Sequence, residues 1–340
     1  MNPSLRELLK RTSRSFYLTL RVLPGRVRTQ IGLAYLLART SDTIADTEIV
    51  PVAQRLAALQ QLRARILDEH TDLLDFNTLA DQQGDPAERE LLGNCDRSLA
   101  ELRRLLPEDL RRVQEVLRTI ISGQELDLRR FARVSPDAII SLQNEAELED
   151  YTYRVAGCVG EFWTKTCRAH LFPEARLNEA SLLADAVRFG KGLQLVNILR
   201  DVPTDLRKGR CYLPEDALRE AGLSPSDLLL GSNQARFRPL YQRYLEQAKA
   251  HLIAGWNYTN TIPHNQVRIR LACAWPILIG VETLRHLNEG SILDATERIK
   301  VSRASVRRII FQTVVRYPWA DGWRDWGQRL LDFTGKAVAR

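Results

Sequence analysis

The chain has 340 residues, 44% of them apolar, with a net charge of +7 and a pI near 9.3. This is ample for a packed core, and the scarcity of Gly and Pro (18 and 14) beside abundant Leu, Ala, Arg and Glu argues for helices over a β-sandwich or an α/β nucleotide fold. The positive balance favours an anionic partner without choosing among phosphorylated substrate, nucleic acid and anionic lipid.

Helical periodicity recurs along nearly the whole chain. A first helix is expected from Pro24 or Gly25 to Asp46, ended before the Thr47–Pro51 break, and a second from Val52 to about Glu69. His70 to Pro86 reads as a surface loop or a short helical turn. Long helices follow over about 87–106, 108–132, 145–170 and 178–202, with Pro107 and Pro136 as boundaries. Pro214-Glu215-Asp216 opens a short helix, and others are expected near 234–260, 265–288 and 301–316. No repeat or linker interrupts this pattern, so residues 1–340 are expected to form one all-α domain.

Residues 319–340 form a Trp-rich amphipathic segment with Trp319, Trp323, Trp326, Leu330, Leu331 and Phe333 among Arg324, Arg329, Lys336 and Arg340. Packing on the domain is the favoured reading, with peripheral contact to a membrane as the alternative. The longest apolar run, near Leu271 to Val281, is too short to span a bilayer and contains Pro276. No secretory signal opens the chain, and its five scattered cysteines suggest neither a zinc site nor a disulfide framework. A cytoplasmic protein is expected, soluble or peripheral to the membrane.

Two stripes carry candidate chemistry. Gln194, Asn197, Asp201 and Asp205 are spaced 3, 4 and 4 apart, which on a helix places them in one line beside apolar Leu193, Val196 and Leu199. Asp42 and Asp46 extend a second line through Ile31, Tyr35 and Ala38. Carboxylates one turn apart beside a core repel each other and lose hydration, so each pair calls for a cation. All-oxygen donors suit Mg²⁺, which keeps waters or substrate phosphates in its shell. If the two helices face a common cavity, such ions could hold a diphosphate and draw off its leaving charge.

Anion-binding candidates accompany the acids: Ser13, Arg14 and Ser15 near the N-terminus, Arg39 and Arg200 within a turn of the aspartates, and Arg207-Lys208-Gly209-Arg210, read as a flexible basic loop. In YTYRVAGCVG, small Ala156, Gly157 and Gly160 leave open either close passage of a hydrocarbon or close helix packing. The face bearing Ile120, Ser122, Gly123, Gln124 and Asp127 is small and polar, with no assigned role.

Taken together, SRSFYLTLRVLP (13–24), YLLARTSDTIADT (35–47), YTYRVAGCVG (151–160), QLVNILRDVPTDLRKGRCYLP (194–214) and LACAWPILIGVETL (271–284) resemble the squalene and phytoene synthase family. The resemblance implies a single-domain isoprenoid synthase helical bundle around a central cavity and Mg²⁺-dependent head-to-head joining of two prenyl diphosphates. It implies Mg²⁺ ligation by Asp42, Asp46, Asn197, Asp201 and Asp205. It also implies diphosphate contacts from Ser13, Arg14, Ser15, Tyr35, Arg39, Gln194, Arg200 and Arg210, with Tyr151 assisting ionisation and proton handling. Ala45, Thr47 and Thr204 stand where family members often carry a further acid, and Pro203 predicts a kink or a helix end between Asp201 and Asp205.

Within the family, CAWPILIGVETL followed by RIKVSR (298–303) looks more like squalene synthases. That implies two farnesyl diphosphates joined through presqualene diphosphate and reduced with NADPH, whose phosphate would meet Lys300 and Arg303. No G-x-G-x-x-G fingerprint is present, so NADPH would bind without a Rossmann module. The alternatives are phytoene, dehydrosqualene or hydroxysqualene synthase, which need no reductant. A non-catalytic basic helical protein binding membrane or nucleic acid is disfavoured, since its charges need not converge with two acidic pairs; no nucleic-acid partner is expected.

Overall fold

The structure is a computed structural model that describes residues 3–13, 17–69, 72–135, 138–294, 296 and 299–332. Its helices are α1 (Pro3–Thr12), α2 (Tyr17–Val22), α3 (Gly25–Asp46), α4 (Val52–Ile66), α5 (Asn77–Asp81), α6 (Pro86–Gly93), α7 (Cys95–Leu102) and α8 (Pro107–Arg130). They continue with α9 (Glu145–Thr152), α10 (Cys158–Leu171), α11 (Glu179–Arg207), α12 (Glu215–Glu220), α13 (Gln234–Thr261), α14 (Val267–Glu289), α15 (Arg303–Arg316) and α16 (Ala320–Leu331). Two short strands, β1 (Ile140–Leu142) and β2 (Arg210–Pro214), pair in parallel. The fold is all-α as expected. The backbone divides into two compact units, 1–132 with 161–174, and 133–160 with 175–340.

In the first unit, α3 packs against α8, α4, α7 and α6. It buries Val27, Ile31, Leu33, Leu36, Leu37 and Ile44. From α8, Val113, Val116, Leu117, Ile120 and Ile121 recur at the three- and four-residue spacing of one helix face. Each such side chain removed from water contributes about 1.5–3 kcal/mol. The helix expected over 87–106 is two helices, because the chain breaks at Asn94, whose amide Nδ2 donates to Glu90 O at 2.8 Å. A polar clamp lies inside this unit: Asp109, 3% exposed, accepts from Gln30 Nε2 at 3.0 Å and Arg112 Nη1 at 2.8 Å, with His170 Nε2 at 2.8 and 2.9 Å from its two oxygens. Burial opposes this charge, but the hydrogen bonds and the neighbouring cations hold the carboxyl below its ordinary range.

In the second unit, α11 packs against α13, α14 and the π-helical turn Tyr153–Gly157. A Cβ on Gly160 would overlap the backbone of Ala186, and one on Gly190 would overlap that of Ala156. Gly160 therefore serves close helix packing, one of the two readings of the small residues of 156–160.

Pro203 does not end α11 as its missing N–H predicts; the helix runs on to Arg207. The proline leaves the carbonyl of Leu199 without its helical donor, and the fully buried Tyr241 hydroxyl donates to that oxygen at 3.0 Å. The basic loop is also different from the expectation. Lys208 and Gly209 form a tight turn, Gly209 takes φ of +76° against the backbone of Ser135, and Arg210 already begins β2. A parallel strand partner pairs with Arg210 where a flexible loop was expected.

Trp323 and Trp326 pack on the body, with Trp323 stacked on Trp256 at a centroid separation of 5.2 Å. Phe333, Lys336 and Arg340 lie outside the described residues. Among the described residues no helix is long and apolar enough to cross a membrane.

Candidate active site

The first acidic pair rises out of the core along α3. Ile31 is buried, Tyr35, Ala38 and Asp42 are half-buried, and Asp46 at the last turn is exposed. A helix C-terminus carries negative partial charge, so two carboxylates there are unfavourably placed unless a cation joins them. Arg39 Nη1 lies 3.9 Å from Asp42 and its other terminal nitrogen pairs with Glu88. Burial draws the Arg39 guanidinium down, but Asp42 and Glu88 outweigh it and hold it above its ordinary value. Gln124 of α8 donates its amide to Asp42.

These contacts do not fully offset the cost of the charge. The Asp42 carboxyl is pushed up to about 7, first by burial and then by Asp46, against the pull of Arg39 and Gln124. Its side chain still keeps 46% of its surface open, so an incoming cation can reach it. Ser13 is buried just beyond α1, its hydroxyl without a hydrogen-bond partner among the described residues. Arg14 and Ser15 lie outside the described residues.

The second stripe lies on α11. Gln194, Asp201 and Asp205 are half-buried and Asn197 is exposed, while Leu195, Val196, Ile198, Leu199 and Val202 between them are buried. The stripe thus borders the core as its spacing implies. Arg200 grips its neighbour Asp201 with two hydrogen bonds, Nε to Oδ1 at 2.9 Å and Nη2 to Oδ2 at 2.6 Å. This bond to Asp201 holds the Arg200 guanidinium above its ordinary value.

Tyr151 is buried at the end of α9 and stacks on Tyr212 of β2, centroids 4.8 Å apart. The strand that begins with half-buried Arg210 therefore sets the position of the Tyr151 ring. Burial pushes the neighbouring Cys211 thiol up to about 11, so it stays protonated and unreactive. Lys191 of α11 pairs with Glu149 of α9, one turn from Tyr153. Lys300 and Arg303 are exposed before and at the start of α15.

A family model described as squalene/phytoene synthase matches residues 9–305. The chain belongs to the squalene/phytoene synthase family. A presqualene diphosphate synthase from Rhodopseudomonas palustris is 32% identical over 254 residues, covering 75% of this chain and 77% of the relative. A bifunctional lycopene cyclase/phytoene synthase from Colletotrichum graminicola is 31% identical over 279 residues, 81% of this chain and 44% of the relative. The chain thus spans about half the length of such bifunctional relatives. Among solved structures, the complex of TcSQS with the ligand E5700 aligns with a TM-score of 0.74 at 19% identity, covering 97% of this chain and 96% of that one. The squalene synthase HpnC from Alicyclobacillus acidocaldarius aligns at 0.59 and 19%, covering 86% and 97%. These likenesses concern the fold.

The donor set suits the divalent metal that the family implies. Among the described residues no three or more His, Cys, Asp or Glu side chains gather as a ready-made metal cage. Mg²⁺ commonly takes only one or two carboxylates and completes its shell with water and phosphate, so a pair such as Asp42 and Asp46 is an adequate protein contribution. Glu88, Glu149, Lys191 and Tyr212 are the neighbours that sequence reasoning passed over. Gln124 was noted there on a small and polar helix face, with no role assigned.

Proposed function

We propose that the chain is a Mg²⁺-dependent prenyltransferase that joins two farnesyl diphosphates through presqualene diphosphate and carries the product on to squalene. The observation that carries this reading is the pair Asp42 and Asp46, one turn apart at the C-terminal end of α3, in a chain whose residues 9–305 match this family. A site that disfavours its own negative charge is one in which a cation gains the most.

In this reading Asp42 and Asp46 form one metal-binding pair, and Asn197, Asp201 and Asp205 the other. Bound Mg²⁺ would supply Lewis-acid stabilisation of the departing diphosphate. Arg39, Arg200 and Arg210, with Ser13, Arg14, Ser15, Tyr35 and Gln194, would hold diphosphate oxygens. The guanidinium fork that now grips Asp201 has the geometry for this work. Tyr151, held by Tyr212, is a fixed aromatic hydroxyl suited to proton handling.

Lys300 and Arg303 are exposed cations that suit the phosphate of NADPH but contribute nothing for a nicotinamide ring. A cavity of about 210 Å³ on the neighbouring face of α15 is lined by Arg285 and Arg308 and not by these two. The reductive step thus rests on the likeness of CAWPILIGVETL and RIKVSR to squalene synthases. A second reading, in which the reaction ends without a reductant, is favoured by the relatives named presqualene diphosphate synthase and phytoene synthase. Incubation of the purified protein with farnesyl diphosphate and Mg²⁺, with and without NADPH, separates the two. Squalene with matching cofactor oxidation supports the first reading, and an identical product spectrum in both conditions rejects it in favour of the second.

A further inference from the structure

The solvent side of α15 has the wrong composition for a helix facing water. Phe311 is 66% exposed, Val314 48% and Val315 45%, and Trp319, four residues after Val315, is 65% exposed. On a helical projection Phe311, Val314 and Val315 fall on one face with Ala304 two turns before Phe311, and Arg303, Arg307 and Arg308 flank them toward the N-terminal end. All of these residues are exposed. The helix has four arginines and no acidic residue. Its opposite side is held by the protein, with Thr313 fully buried and α15 packed on α14 and α16. Other exposed apolar residues, Ile49, Leu73, Leu106 and Leu230, stand singly on separate segments and need no explanation. Four on one short stretch form a patch.

We propose that this face of α15, continued in the chain by Trp319, docks the protein on a bilayer that carries anionic headgroups. An aromatic and aliphatic centre flanked by arginines is the pattern of a helix lying in the membrane interface, where the apolar side chains enter the acyl boundary and the guanidinium groups stay at headgroup level. Trp319 adds the aromatic anchor with a polar N–H that favours this depth. Trp323 and Trp326 are packed on the protein body, as the favoured reading of the C-terminal segment has it, and the outward apolar face belongs to the preceding helix and Trp319. A second copy of the chain fits less well, because a two-fold contact would bring the arginines of two copies into one interface without one acid on either helix to meet them. A nucleic acid would meet Phe311 and the valines where its phosphates need cations. This inference is independent of the chemistry proposed for the aspartate pairs.

The test is co-sedimentation of the full chain with vesicles of phosphatidylcholine alone and of phosphatidylcholine mixed with phosphatidylglycerol. The wild type is expected to sediment with the mixed vesicles, more weakly with the neutral ones, and less in high salt. Phe311→Asp should lower binding to both by about tenfold or more, since it places a charge at the centre of the apolar face. Arg307→Gln should lower binding to the mixed vesicles alone, by about fivefold. Far-UV circular dichroism and condensation of detergent-dispersed substrate should match wild type, and Val315→Asp serves as the second apolar variant if Phe311→Asp misfolds. A folded Phe311→Asp protein that still sediments like wild type overturns the proposal, as does a wild type that ignores both vesicles. A wild-type dimer in solution that Phe311→Asp dissociates, with no vesicle binding, assigns the face to a second copy and overturns it as well.

Discussion

Replacing Asp42 by Asn should stabilise the metal-free protein at mildly alkaline pH while nearly abolishing turnover. The native Asp42 carboxyl is held up to about 7, against 3.8 for an ordinary aspartate. The native state therefore keeps a proton that the unfolded chain gives up, so the stability from this group is complete below the unfolded value and is lost as pH rises through about 7. For a sealed carboxyl a gap of this size would be worth ~4 kcal/mol. With 46% of the side chain open to water, solvent screening lowers this to about 1 kcal/mol. The asparagine side chain would keep the shape and a hydrogen-bonding oxygen for Gln124 but carries no charge. Denaturant midpoints in the presence of a chelator should show a gain of about 1 kcal/mol for Asp42→Asn at about pH 8 and almost none at about pH 3, below the unfolded value, where the carboxyl is protonated in both states. Added Mg²⁺ should then stabilise the wild type more than the variant. A destabilised variant at about pH 8, or the same difference at both pH values, would refute the argument that Asp42 is a charge awaiting a cation.

Other outcomes follow from particular contacts. Tyr241→Phe should cost about 1–3 kcal/mol by stranding the Leu199 carbonyl, and Pro203→Ala in the same chain should recover part of it by restoring a helical N–H; additive effects in a double-mutant cycle would show that the two are unlinked. Asp109→Asn should cost about 3 kcal/mol in thermal or denaturant unfolding, because Arg112 loses its buried counter-charge and the hydrogen bonds of Gln30 and His170 are disturbed. As its carboxyl is held low, the stability it contributes is present above the unfolded value and is lost as pH falls through the native one, so the acid limb of the wild-type profile should flatten in the variant. Gly160→Ala should be strongly destabilising, by ~3 kcal/mol, since the added methyl meets backbone, and a folded variant with unchanged midpoint would contradict the close approach. Arg200→Lys should raise the apparent KM for the diphosphate while leaving stability nearly unchanged; unchanged kinetics would assign the guanidinium fork to Asp201 alone.

The long helices were legible because each buries one face, and the burial of α3, α8 and α11 repeats the three- and four-residue spacing of their apolar residues. The two aspartate stripes were legible for the same reason, as polar interruptions of that spacing. What could not be read were contacts between residues far apart in the chain. Gln124 meets Asp42 across 82 positions, and Tyr241 meets the carbonyl beneath Pro203 from another helix, so a rule about proline allowed a helix end where a tertiary contact lets the helix run on. The turn after α11 failed for a related reason: a run of Arg, Lys and Gly reads as a mobile loop until a distant strand supplies its hydrogen bonds.

The most direct test of the condensation itself is stoichiometry. Radiolabelled farnesyl diphosphate turned over by the purified protein with Mg²⁺, and by its Asp42→Asn and Asp201→Asn variants, gives substrate consumed per hydrocarbon or cyclopropyl product formed. Two farnesyl units per product molecule, in a Mg²⁺-dependent reaction that both variants lose, is the predicted result. Farnesol alone, or condensation that survives in either variant with its Mg²⁺ dependence unchanged, would contradict the account.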